Sequence, residues 1–326
     1  MIDLKNDQPL VKIGLAVYQE QRHLRETLQS LLAQDYANFK VVISDNASTD
    51  TTQNICEEFQ ANDPRVTYYR SQTNLGAITN FNRTFELAND GKYFMWAGGH
   101  DLWDPGFVSA AVTVLQASAE VVLVYPRTML IDDEGKHHGI VPDELRTRGL
   151  RPLARYLKVI RNVQSCAAIH GLIRCEALAR TDLLPPTWGP DITLLSDLAL
   201  KGQFERLEQV MFYLRDFRPE EHEDVEQWKA RTLKTLEGQQ QSNRQAMSLE
   251  DLFREWRREQ LGVISRSDLS TGDKLKARAQ TIKWARARFG VRLPADVAFR
   301  VLSGLRSPRI FAQRVRARLG RERRSV

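Results

Sequence analysis

The chain is poor in cysteine, with only Cys56, Cys166 and Cys175 in 326 residues. Their odd number argues against a disulfide framework, and none stands at metal-ligand spacing, so a reducing cytoplasm is the expected setting. A run of about 18 apolar residues, the length a membrane-spanning helix needs, does not occur. The opening MIDLKNDQPL lacks the basic and then apolar pattern of a signal peptide. Neither GxGxxG nor GxxxxGK[S/T] is present, which removes the usual dinucleotide and P-loop phosphate cradles. There is no internal repeat and no low-complexity linker. What remains is an ordinary globular composition, 42% hydrophobic and 27% charged, long enough for one large domain or two smaller ones.

The charge is unevenly distributed. From Arg266 onward there are 17 Lys and Arg against 4 acids, a net of +13, which leaves −7 for residues 1–265 out of the total of +6. Arg306 to Arg324 carries eight arginines and one acid, interleaved with Leu305, Ile310, Phe311, Val315 and Leu319. Such a basic amphipathic segment suits an anionic membrane surface, as at the inner face of a plasma membrane. It also reads as a solvated helical tail docked by its few apolar residues. Nucleic acid is not an expected partner, because no recognised module accompanies the basic residues.

Along the chain, Val11, Ile13, Leu15 and Val17 alternate as a strand, and Leu24, Leu28, Leu31 and Leu32 recur at helical spacing. Phe39 to Ile43 reads as a second strand that stops at Asp45, followed by a turn, Ser48-Thr49-Asp50, with Gln53 placed to close a capping box from Asp50. Val66 to Tyr69, Asn80 to Ala88 and Tyr93 to Trp96 continue the alternation of strand and helix. The pattern predicts an α/β fold with a mostly parallel sheet covered by helices on both faces. Val121 to Tyr125 reads as a further strand and Asp132 to Gly135 as a hairpin turn. Leu194, Leu195, Leu198, Ala199 and Leu200 form an apolar helical stripe ending at Gly202. A boundary is expected near residue 220, dividing an α/β body, 1–220, from a helical, basic C-terminal region, 221–326.

Strand ends then bring Tyr18 and Glu20, Asp45 and Asn46, and His100 and Asp101 to one edge, where open α/β sheets bind ligands. A carboxylate there accepts hydrogen bonds from a base or ribose. The same turn at Asp45 also reads as a surface loop that caps the next helix.

Three segments in order, IGLAVYQEQRHLRETLQSLLAQDY, VVISDNASTDTT and NLGAITNFNRTFELANDGKYFMWAGGHDLWDP, resemble the inverting family-2 glycosyltransferases of the GT-A fold, over about Val11 to Arg218. The resemblance implies a UDP-, GDP- or dTDP-sugar donor, held by Ala16, Tyr18, Glu20, Asp45 and Asn46, with Asn74, Gly76, Ala77 and Asn80 beside the ribose or diphosphate. It implies a divalent ion, Mg²⁺ or Mn²⁺, held by carboxylate oxygen. Where family members carry Asp-x-Asp, this chain reads Gly99-His100-Asp101, so Asp101 is the expected metal residue and His100 an adjacent contact. Inverting transfer needs a base, and Asp191, at the head of the stripe ending in Gly202, is the candidate. Asp197 is a rival among the apolar residues of the same stripe. His170 to Arg174 resembles the acceptor side, and Arg215, Arg218 and His222 lie where the family places late basic or metal-binding residues. Arg218 or His222 is placed to neutralise the leaving diphosphate. The processive Gln-x-x-Arg-Trp segment is missing, so single addition to a glycan or lipid-linked hydroxyl acceptor is expected, in cell-surface polysaccharide or glycolipid synthesis. Two alternatives stay open. One is a catalytically inactive relative serving as a binding protein, supported by Gly99. The other is a sugar-phosphate nucleotidyltransferase, which the Gly- and Lys-poor YQEQRHL disfavours.

Overall fold

The computed structural model describes residues 8–88, 90–216 and 249–289. Its first half alternates as the residue pattern dictates: β1 (Val11–Val17), α1 (Leu24–Leu32), β2 (Phe39–Asp45), α2 (Thr52–Asn62), β3 (Val66–Arg70), α3 (Ala77–Glu86) and β4 (Tyr93–Gly98). Every residue of β1 and β4 is buried, as befits central strands covered on both faces. A short β5 (Leu102–Trp103), α4 (Phe107–Ala117), β6 (Val121–Ile131) and β7 (His137–Ile140) follow. The β6–β7 connection is the expected hairpin turn, with the Asp132 N–H donating to the Lys136 carbonyl and Gly135 at φ 82°.

The later part contains α5 (Pro152–Asn162), a 3-10 turn at Ala167–His170, β8 (Leu172–Arg174), α6 (Cys175–Leu178), α7 (Pro190–Lys201) and β9 (Gln203–Arg215). Among the described residues it closes with α8 (Leu249–Arg266) and α9 (Thr271–Phe289).

The nine strands form one sheet in the order β3-β2-β1-β4-β8-β6-β9-β5, with β7 on β6. Parallel pairing holds for β3-β2-β1-β4 and for β6-β9. The three-residue β8 joins these two blocks by antiparallel pairing to both β4 and β6, and β5 and β7 are also antiparallel. The sheet is therefore mixed, the all-parallel pattern ending at β4.

The pleat divides the core. Phe94 and Trp96 of β4 face α3, α5 and α7, while Tyr93, Met95 and Ala97 face α1, α2 and α4. Phe85, Phe94 and Trp96 meet edge to face or tilted, with centroids 5.0–6.5 Å apart. Each fully buried large apolar side chain here contributes about 1.5–3 kcal/mol. Leu252 and Trp256 of α8 belong to the same apolar cluster as Trp96, and Val263, Ile264 and Ala277 pack on Tyr156 and Ile160 of α5.

Candidate functional site

The carboxyl ends of β1, β2, β3 and β4 form a rim. Ala16 sits in register with Ser44 of β2 and Gly98 of β4, so the three strands run out side by side. The loops leaving β1 and β2 each contain a non-glycine residue in the left-handed region, Gln19 at φ 58° and Ala47 at φ 63°. Such conformations persist only where the surroundings fix them. Here the two loops are laced together: Gln19 N–H donates to Ser48 Oγ at 3.0 Å, Glu20 N–H to Thr52 Oγ1 at 2.9 Å, and Gln21 N–H to Asp50 Oδ2 at 3.2 Å. Asp50 also takes the Thr52 N–H, whereas Gln53 bonds Glu57, so the expected Asp50–Gln53 capping box does not form. Tyr18 projects from this rim with 42% of its surface exposed.

Asp45 is wholly buried. Its Oδ1 accepts the Ser48 N–H at 2.9 Å, and its Oδ2 accepts the Tyr68 hydroxyl at 2.8 Å and faces Arg70 Nε at 3.3 Å. Burial and the Asp45 carboxylate both push the Tyr68 hydroxyl up, so Tyr68 stays a donor. The groups that reach solvent are instead the exposed Tyr69 and the Arg70 guanidinium, whose Nη2 also donates to the Ser48 carbonyl at 2.7 Å. Neither residue was singled out in the sequence, although the register Asp45 to Arg70 across β2 and β3 is the signal that pairs them.

Asn46 and Asn80 are likewise buried and bonded within the protein. Asn46 donates to Asn74 Oδ1 at 2.8 Å and accepts the Leu75 N–H at 2.7 Å. Asn80 accepts the Ser44 hydroxyl at 2.6 Å and donates to the Ser44 carbonyl at 2.9 Å. Asn74 itself is exposed, and Ala77 opens α3 just after Gly76. These residues fix the shape of the rim from beneath, and Tyr18, Asn74 and Ala77 stand at its surface.

The β4–β5 loop is clamped from two sides. His100 Nδ1 lies 3.1 Å from Glu20 Oε1. Burial of the ring opposes its charge, but the bond to Glu20 and the Asp101 and Glu20 charges outweigh it and push His100 up to about 9. Gly99 is required by this pairing, because a Cβ there would stand 2.7 Å from Glu20 Cγ. Asp101 is 1% exposed, and its Oδ1 accepts the Arg215 N–H at 2.9 Å. Arg215 is the other clamp: its guanidinium donates to the carbonyls of His100, Asp132 and Asp133 and to Glu26 Oε2, at 2.7–3.0 Å. It is a structural hub and does not present a free cation to a ligand.

Among the described residues no group of three His, Cys, Asp or Glu side chains is arranged to hold a metal by itself. A Mg²⁺ ion, however, is ordinarily held by one or two carboxylates with substrate phosphates and water completing its shell. Asp101 is one carboxylate at the end of β4, 1% exposed and with its Oδ1 taken by the Arg215 N–H.

Asp191 lies half-buried in the first turn of α7, after Pro190 and the left-handed Gly189. Helix α7 packs on β6 and on the 3-10 turn that ends at His170, and His170 Nδ1 lies 3.1 Å from the Trp96 carbonyl of β4. Asp197 is buried and paired to Lys201 at 3.3 Å inside the fold. Arg174 spends its guanidinium on the carbonyls of Leu115, Ser118 and Val121, closing the end of α4. Arg218, His222 and the arginine-rich segment from Arg306 lie outside the described residues.

The sequence profile described as "Glycosyl transferase family 2" matches residues 13–184, more than half of the chain. An uncharacterized glycosyltransferase of Rickettsia typhi is 28% identical over 167 residues, 51% of this chain and 48% of that protein. WcaA of Escherichia coli strain K12, provisionally named a colanic acid biosynthesis glycosyl transferase, is 29% identical over 131 residues, 40% of this chain and 46% of its own. The chain thus spans about half the length of each of these two relatives. In fold it is similar to residues 1–349 of S. aureus TarS, solved in complex with UDP, with a TM-score of 0.62, 16% identity, and 92% of this chain and 82% of that one covered.

Proposed function

Because the chain belongs to glycosyl transferase family 2, we propose that it moves one sugar from a UDP-, GDP- or dTDP-sugar to a hydroxyl acceptor with inversion. The observation that carries this reading is Asp101, held in one orientation by the Arg215 N–H at the carboxyl end of β4, beside the rim where Arg70 stands over Asp45. Arg70, Tyr18 and Asn74 meet the nucleotide, and Asp45, Asn46 and Asn80 hold the loops that carry them. A divalent ion, when bound, supplies positive charge to the donor diphosphate, and Asp101 is the residue that holds it. Asp191 accepts the acceptor hydroxyl's proton as that oxygen attacks the anomeric carbon. The new glycosidic bond forms as the bond from carbon to the diphosphate oxygen breaks on the opposite face. The nucleoside diphosphate then leaves with the electron pair.

TarS binds UDP, which supports a nucleoside diphosphate donor, and the provisional naming of WcaA supports polysaccharide synthesis as the setting. The excess of cationic residues after Arg266 supports a lipid-linked or cell-surface glycan precursor at an anionic membrane face. No helix among the described residues is long and apolar enough to cross a membrane.

Release of nucleoside diphosphate from a panel of UDP-, GDP- and dTDP-sugars tests the reading. One donor class is expected to be turned over, and Asp191→Asn to lower that turnover by about 10²–10⁴-fold, the usual worth of a positioned general base. Full turnover by Asp191→Asn removes Asp191 as the base. Binding of a donor without turnover by any acceptor or water favours the inactive-relative reading that Gly99 suggests.

A further inference from the structure

The family profile ends at residue 184, before α7, yet α7 carries Asp191. The first two turns of that helix are held from outside the profile, by α8. Gly189, at φ 63°, lies under Trp256: a Cβ there would stand 3.4 Å from Trp256 Cδ1 and 3.5 Å from Ile192 Cδ1. Ile192 and Trp256 share the main apolar cluster. One turn further along α8, Gln260, with no surface exposed, donates its Nε2–H to Thr193 Oγ1 at 3.1 Å. Its Oε1 lies 3.0 Å from the Ser196 hydroxyl and accepts the Tyr156 hydroxyl at 3.2 Å. Thr193 Oγ1 in turn donates to the Gly189 carbonyl at 3.4 Å, and Tyr156 meets the Thr281 hydroxyl of α9 at 2.8 Å. Residues 189, 192, 193 and 196 thus flank Asp191 and are each fixed by this assembly.

Apolar contact is non-directional, so Trp256 and Ile192 alone leave α7 free to rotate or slide by a fraction of a turn. A buried amide with three hydroxyl partners on two other helices does not, because any such movement leaves a buried polar group unsatisfied. We propose that Gln260, acting through Thr193, is a positioning residue for sugar transfer: it sets the register of α7 and thereby the place of the Asp191 carboxylate. The inference rests on the reading of Asp191 as the base. It assigns to the C-terminal helices a part in the chemistry, while the rim at β1 to β4 keeps its own bonds.

The test uses the full chain, the donor sugar that wild type hydrolyses fastest among UDP-, GDP- and dTDP-sugars, and the matching nucleoside diphosphate as binding probe. Gln260→Met keeps the volume and removes the bonds; Thr193→Val removes the hydroxyl with its bonds to Gln260 and to the Gly189 carbonyl at nearly unchanged shape, and covers the case in which Gln260→Met does not fold. Both are expected to keep the nucleoside diphosphate Kd within about twofold and to lose about tenfold or more in kcat, because small misplacements of a reacting group are costly. Thr193→Ser, which keeps the hydroxyl, is expected to restore kcat. Asp191→Asn is expected to cost less in the Thr193→Val background than in wild type, the mark of two residues acting on one step. Unchanged kcat in Thr193→Val and in any folded Gln260→Met, or a loss matched by equal weakening of nucleotide binding, overturns the positioning role. Full turnover by Asp191→Asn alone instead overturns the base assignment, so the two failures are distinct.

Discussion

The carboxylate of Glu20 lies against Gly99 and bonds His100, so the position at which family members carry a first metal-loop acid is already filled from the β1–α1 loop. Restoring that acid is therefore expected to harm the fold. Gly99→Asp should destabilise by about 1–3 kcal/mol, the usual cost of overpacking, measured by denaturant unfolding. In the Glu20→Ala background the same change should cost clearly less; equal costs in both backgrounds would show that Glu20 is not the obstacle. Arg215 makes the complementary case, since it satisfies three carbonyls and Glu26 at once. Arg215→Met is expected to cost at least about 1–3 kcal/mol in the same measurement, the usual penalty for one buried polar group left unpaired, because three carbonyls lose their donor while Glu26 stays largely in solvent. The residue types at the rim were legible in the sequence, because a carboxylate after an apolar strand is a local pattern. Burial was not: Asp45, Asn46 and Asn80 look the same in sequence whether they touch a ligand or bond the backbone beneath it. Arg70 went unread for a related reason, as its pairing with Asp45 exists only once β2 and β3 are in register.

At the scale of elements, β1 to β4 and the helices α1 and α3 were readable, the helices from one buried periodic set of side chains and the strands from apolar residues that alternate or run on. The strands β5, β8 and β9 were not. Two- and three-residue strands carry no period, and β9, reading QFERLEQVMFYLR, mixes charged and apolar residues without one: of its four charges only Glu208 is exposed, and Arg215 is buried. Turns between elements add stability of their own. After α2, Asp63 accepts the Arg65 N–H and three guanidinium bonds, and Arg65 lies 4.6 Å over the Phe39 ring. The side-chain bond to Arg65 holds Asp63 below its ordinary value of 3.8, against the opposing effect of burial. A depressed carboxylate stabilises the fold above its unfolded pKa, and this contribution fades as pH falls through the folded one. Asp63→Asn should therefore melt below wild type at neutral pH, with the gap closing as pH falls below about 4. A gap that stays constant down to pH 2 would remove the ion pair as its cause.

For the whole molecule, the body and the helices beyond residue 248 share their apolar clusters, with Leu252 and Trp256 packed among residues of α3, α5 and α7. The change in charge near Arg266 does not coincide with an edge of the core. Trp256→Ala is expected to cost about 3–5 kcal/mol by thermal or denaturant unfolding. A chain ending at residue 216 should bind a hydrophobic dye and lose its cooperative transition; a truncated chain that melts as sharply and as high as the full one would mean the helices are dispensable. The central claim is that the rim of β1 to β4, with Asp101, is a nucleoside diphosphate site. Its most direct test is the melting temperature of the full chain with UDP, GDP or dTDP, with and without Mg²⁺ or Mn²⁺, in wild type and Asp101→Asn, since a ligand that binds only the folded state raises stability. The account predicts that at least one of the three raises the wild-type midpoint, more so with metal, and that Asp101→Asn abolishes the metal-dependent part. No shift with any nucleotide, or an identical response in Asp101→Asn, would contradict it.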